Sequence, residues 1–118
     1  MIALIATDCA SPVADLSGDK YSGEASAPQC ETFKFDIAIH EGKVSGYAWS
    51  YPRGKVIAWD VTGTVDSQGH LTMRTTTGGE ALTSWAAWVG EQTPTEVTIR
   101  NSSSRHCPEL RKGTLKHI

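Results

Sequence analysis

His40, His70, His106 and His117 are the residues from which acid–base or metal chemistry would have to be built. None stands at a spacing that such chemistry needs. No His-Glu-x-x-His, Asp-x-Asp or paired ligand spacing occurs, so the chain offers no metal site and implies no cofactor. His106-Cys107 puts an imidazole beside a thiol, which favours the thiolate. The phosphatase pattern, however, needs an arginine six positions after the cysteine, and Gly113 stands there. Ser84, between Thr83 and Trp85, lacks the glycine-flanked elbow of a hydrolase nucleophile. Asp60, Glu80, Glu91, Glu96 and Glu109 are scattered, and nothing in their order gathers two of them for glycoside hydrolysis. No catalytic residue is assigned, and an enzyme is the last of the three readings that the sequence leaves open.

The aromatic residues are more informative. Tyr47, Trp49 and Tyr51 fall on one face of a stretch whose other face is small, with Gly46 and Ala48. Trp85 and Trp88 are three apart, so strict alternation puts them on opposite faces, one in the core and one outside it or lining a cavity. Two readings follow. All four tryptophans fill the interior, or Tyr47, Trp49 and Tyr51 with one of Trp85 and Trp88 form an apolar surface for a sugar, a lipid or another protein. Were Gly46 and Ala48 to face inward, they would leave internal space, which in a barrel is a ligand site.

These residues are carried by a period of two. Phe33, Phe35, Ile37 and Ile39 alternate with Thr32, Lys34, Asp36 and Ala38 over Glu31 to His40, which specifies a strand with one buried face. Glu41-Gly42-Lys43 is a tight turn in which Gly42 supplies positive φ. Val44 to Tyr51 follows, then the turn Pro52-Arg53-Gly54-Lys55. Val56 to Val65 comes next, with Ile57, Trp59, Val61 and Val65 inward. Asp66-Ser67-Gln68-Gly69 leads to the inward Leu71 and Met73, and the series ends with Ala81 to Val89, Thr95 to Asn101 and Leu110 to Ile118. Lys20 to Ala27 makes a first strand closed by Pro28, where a turn or bulge is expected. About eight strands at a turn spacing of roughly 10–12 residues predict an all-β, single-domain antiparallel meander. A small barrel over residues 1–118 is the expected form, with a twisted β-sandwich as the alternative, and residues 1–18 are expected to be loosely attached.

With 118 residues and a net charge of −2, the chain exerts no global pull on nucleic acid or anionic lipid. Arg105, Arg111, Lys112 and Lys116 are the only basic concentration and read as solvated strand edges. No run approaches the roughly 18 apolar residues of a membrane-spanning helix. The apolar Met1 to Ala6 is either the end of an export signal or a first strand. Three cysteines leave at least one unpaired in a monomer. In a closed meander the last strand returns beside the first, so Cys30 and Cys107 are the expected disulfide, and the protein an exported or periplasmic one. The competing reading is a cytoplasmic protein with buried apolar cysteines.

Four segments carry a resemblance: Lys20 to Gly23, Phe35 to Gly46, Val61 to Gly69, and Cys107 with Gly113-Thr114-Leu115. In them the chain resembles small exported bacterial β proteins of uncharacterised function, with their glycine-marked hairpins and late cysteine before a Gly-Thr strand. The resemblance covers roughly residues 19–118 and implies a calycin-like or meander barrel with a disulfide, and no activity. The chain departs from that pattern in the longer stretch Pro108 to Lys112 and in carrying Cys9. The function expected is a non-enzymatic binding module for a small apolar or sugar-like ligand at Tyr47, Trp49, Tyr51, Trp85 and Trp88. The alternative is a protein-interaction or inhibitor domain that uses this aromatic face or an open edge strand, with a homodimer as one form of it.

Overall fold

The alternation of Phe33, Phe35, Ile37 and Ile39 decides the faces of the whole molecule: all four side chains are buried, and Lys34 and Asp36 between them are exposed. The computed structural model describes residues 18–51, 54–77, 85–104 and 110–118. They form eight strands: β1 (Asp19–Ala27), β2 (Cys30–His40), β3 (Lys43–Ser50), β4 (Ile57–Val65), β5 (His70–Thr77), β6 (Trp85–Gln92), β7 (Glu96–Ser104) and β8 (Lys112–His117). Each strand pairs antiparallel with the next, and β8 returns to β1 from Tyr21 opposite His117 to Ser26 opposite Lys112. The meander is therefore a closed barrel, not a sandwich, and among the described residues no edge strand is left for a partner to extend. The register slips between Ala25 and Ala27, just ahead of Pro28, as the missing proline N–H leads one to expect. The segments 1–17 and 78–84 lie outside the described residues, so the N-terminal segment and the first part of the sixth expected strand are not described.

The two ends of the barrel differ. At one end the connections are tight. Glu41 and Gly42 both have positive φ, 52° and 78°, so the β2–β3 turn has the twist that suits a two-residue hairpin. Asp66 organises the β4–β5 turn, its Oδ1 accepting from the backbone N–H groups of Gln68 (2.8 Å) and His70 (3.0 Å). The opposite, loop end joins β1 to β2 through Pro28 and Gln29, while the strand ends of its other three junctions are farther apart in the sequence.

The interior is filled by the protein's own side chains. Phe33 lies 5.0 Å from Trp59 and 5.3 Å from Trp88, and Phe35 lies 5.0 Å from Trp88, measured between ring centroids. Toward the tight end Ile37, Ile39, Val44, Val61, Leu71, Met73, Val97, Ile99 and Leu115 complete one continuous core. Gly46 leaves no hollow inside. A Cβ on it would sit 2.3 Å from the Asp36 carbonyl oxygen, so the β2 backbone already occupies that space. An internal ligand site of the kind that small inward residues suggest is thus closed by backbone and by aromatic packing.

Outward positions carry Lys20, Glu24, Lys34, Asp36, Asp60 and Arg74, all exposed. An apolar inside and a charged outside invert the arrangement of a barrel that faces lipid. Among the described residues no helix is present that could cross a membrane.

Candidate functional site

β3 is the strand whose faces the sequence left open, and closure of the barrel settles them. Val44, Ala48 and Ser50 point inward and are buried, while Tyr47 is 59% exposed, Trp49 is half-buried and Tyr51, just past the strand, is 44% exposed. Successive outward positions on a strand are about 6.6–6.8 Å apart. Tyr47 and Trp49 therefore form a ridge along the outside of the barrel, which Tyr51 continues beyond the strand.

The neighbours of this ridge are set by register. Tyr47 lies between Asp36 on β2 and Asp60 on β4, and Trp49 between Lys34 and Ala58. Lys34 Nζ sits 5.6 Å from the Tyr51 ring centre and 4.0 Å from a Glu24 carboxylate oxygen. Both members of that ion pair are more than half exposed, so it orients Lys34 without adding much stability. Two hollows lie beside the ridge, over β1 and β2. One, about 280 Å³, is lined by Lys20, Asp36, Ala38, Ser45, Tyr47 and Ile118 among others. The second, about 230 Å³, is lined by Ser22, Glu24, Lys34, Asp36 and Trp49 with intervening backbone. They share Asp36, which stands between them.

Trp85 and Trp88 part company. Trp85 is on the outside, half-buried, with the Arg74 guanidinium 5.1 Å from its ring centre. It shares a row with Tyr47 through Asp60 and Thr76, three strands away, or about 14 Å around the barrel, so it stands apart from the ridge. Trp88 is wholly buried, its indole N–H donating to Thr75 Oγ1 at 3.0 Å, which makes it a core residue and not a surface one.

The histidines do not gather into a catalytic group. His40, His70 and His117 all lie at the tight end, each beside one carboxylate: Glu41 at 3.8 Å, Asp66 at 3.4 Å and Asp19 at 3.5 Å. Two backbone N–H groups, from His70 and then Gln68, hold the Asp66 carboxyl below its ordinary range. Among the described residues no three His, Cys, Asp or Glu side chains converge on a metal position. His106, Cys9 and Cys107 lie outside the described residues. Two wider hollows are also present. One of about 450 Å³ over β6–β8 is lined by Glu91, Arg100 and Lys112, and one of about 560 Å³ lies beside the β2–β3 turn. Neither has a tyrosine, tryptophan or phenylalanine in its lining.

One group of residues is not visible in the sequence. Arg111, grouped there with the solvated basic residues, is 1% exposed. It precedes β8 and turns inward over the Phe33 ring, 4.5 Å from the ring centre. Its Nε donates to the Glu31 carbonyl oxygen at 2.7 Å and Nη1 to Asn101 Oδ1 at 3.1 Å, while Nη2 pairs with a Glu31 carboxylate oxygen at 3.0 Å. Burial draws the guanidinium below its ordinary pKa, and Glu31 offsets part of that effect. Ser50 and Thr75 complete this polar layer by accepting the N–H groups of Trp59 and Trp88. Among the described residues no buried side-chain polar atom lacks a partner. The layer thus caps the aromatic core at the loop end and offers no spare group to a ligand. A basic residue beside a strand start carries no local signal for this role, because its partners lie on β2 and β7.

The chain matches no protein-family model, no curated protein and no solved structure.

Proposed function

We propose that the protein is a non-enzymatic binding module that takes a sugar-like ligand on the outer face of β1–β3. One observation carries the reading: Tyr47 is exposed between two carboxylates, Asp36 and Asp60, beside a hollow of about 280 Å³. An aromatic face stacks on the C–H side of a pyranose, and flanking carboxylates accept hydrogen bonds from its hydroxyls. The apolar-ligand form of the reading loses its internal site, since the core is full, so the surface is what remains for recognition. Heteronuclear NMR titration with glucose, mannose, galactose and N-acetylglucosamine tests it. Shifts confined to Lys34–Ala38 and Ser45–Tyr51, abolished by Tyr47→Ala, support the reading, and no shifts with any sugar refute it.

A second reading is favoured by Val56, 61% exposed and next in the chain to Ile57, which stands opposite Ser50 at the end of β3. Tyr47, Tyr51 and Val56 would then dock a protein or a second copy of the chain through side chains alone. Light scattering that gives a dimer mass, lost on Tyr51→Ser with Val56→Ser, supports this reading. A monomer with no partner counts against it.

We further propose that the protein is exported and that Cys30 and Cys107 are joined. Arg111 grips Glu31, the chain neighbour of Cys30, and Cys107 is four residues before Arg111, within about 14 Å of chain reach. Such a crosslink closes a long loop and stabilises by an amount on the order of 3–5 kcal/mol. A non-reducing intact mass after alkylation in denaturant should show one labelled cysteine. Three labels refute the pairing.

A further inference from the structure

The two hollows beside the ridge lie in sequence along β2 and β3, and each has one ring of the ridge as its wall. Tyr47 stands over the first and Trp49 over the second, with Asp36 shared between them. From this repetition, and resting on the sugar-binding reading above, we infer that the ligand is a neutral linear oligosaccharide. Two consecutive pyranose rings bind, one against Tyr47 and the next against Trp49.

Three features carry the assignment. First, the two rings stand on successive outward positions of one strand, whose backbone sites are about 6.6–6.8 Å apart, the length scale of one sugar ring, so neighbouring sugars of one chain can face neighbouring aromatic residues. A single-ring ligand would leave the second hollow and Trp49 without a role. Second, the charged side chains lining the hollows cancel: Lys20 and Lys34 against Glu24 and Asp36. Asp60, on the far side of Tyr47, adds one more acceptor. A polyanion or a polycation would meet like charge in each hollow, whereas hydroxyls both donate and accept and are satisfied by either sign. Third, the platform is rigid. Tyr47 and Trp49 project from a strand that is paired on both sides along its length, with the packed core beneath Ala48. Ligand rings would meet side chains on a backbone already ordered by the barrel, so little backbone ordering is needed on binding.

Isothermal titration of the full chain with glucose, mannose, cellotetraose, maltotetraose, mannotetraose and tetragalacturonate tests this. At least one neutral tetrasaccharide should bind about tenfold or more tightly than its monosaccharide. Tyr47→Ala and Trp49→Ala should each weaken that tetrasaccharide about tenfold. Trp49→Phe, which keeps an aromatic face, should weaken it less and guards against a folding defect in the alanine variant. Equal affinity for the mono- and tetrasaccharide overturns the two-ring inference while leaving a sugar site intact. Tighter binding of tetragalacturonate than of every neutral chain overturns the neutral assignment. No binding of any of the six overturns both the inference and the reading beneath it.

Discussion

Trp49 on β3 and Trp59 on β4 lie one strand apart, each opposite the other strand's alanine: Trp49 faces Ala58 across the ladder and Trp59 faces Ala48. Yet they have opposite roles. Trp59 points inward, packs on Phe33, and its N–H donates to Ser50 Oγ at 2.9 Å. Trp49 points outward beside Lys34 at the lip of a hollow. The inner ring has its polar atom and an aromatic neighbour engaged within the fold. The outer one remains half-buried on a surface where a ligand can reach it. An aromatic residue on this barrel is therefore built into the core or left at the surface according to one step in strand alternation, and residue type alone does not distinguish the two.

The largest effect that tests this comparison is on stability. Trp88→Ala, at the centre of the buried cluster, should cost about 3–5 kcal/mol in urea unfolding, and Trp49→Ala under about 1 kcal/mol. Similar losses at both positions would break the comparison. Next in size, Arg111→Met should cost about 2–3 kcal/mol. That is below the roughly 3–5 kcal/mol of a fully buried broken pair, because Glu31 keeps about a quarter of its side chain exposed and can be partly rehydrated. A cost near zero would mean that the cap does not hold the loop end.

Smaller again, Ser50→Ala leaves the Trp59 N–H buried without an acceptor and should cost about 1–3 kcal/mol by thermal or urea unfolding. In a Trp59→Phe background the same change should cost almost nothing. Full additivity of the two would show that the bond is not what Ser50 contributes. The smallest effect is at the surface. Asp66 has a folded pKa below its unfolded value, so its contribution is present above the unfolded pKa of about 3.9 and is lost as pH falls through the folded value. Asp66→Ala should lower the Tm slightly at pH 7 and leave it unchanged at strongly acid pH. A difference of constant size down the whole acid range would exclude the linkage.

Much of the fold is legible in the chain because two local signals agree. Apolar residues at every second position define the strands, and Gly42 and Gly69 mark turns where the backbone takes positive φ. The eight strands and their order follow from that agreement, and the opposite faces of Trp85 and Trp88 follow from their spacing. Which of the two is buried does not follow. Nor does the role of Arg111, whose partners Glu31 and Asn101 come from strands far away in the chain.

By itself, then, the sequence determined the strands, their antiparallel meander and the inward faces of β2 and β4, since these depend on side-chain alternation within short stretches. Closure of the barrel decided the rest. It turned Ala48 and Ser50 inward on β3, where Phe33, Phe35, Trp59 and Trp88 already occupy the narrow interior, and so sent Tyr47 and Trp49 outside. A strand with one small and one aromatic face can be read either way in isolation. Only the limited volume inside a closed barrel removes the choice, and it places the aromatic ridge on the outer surface.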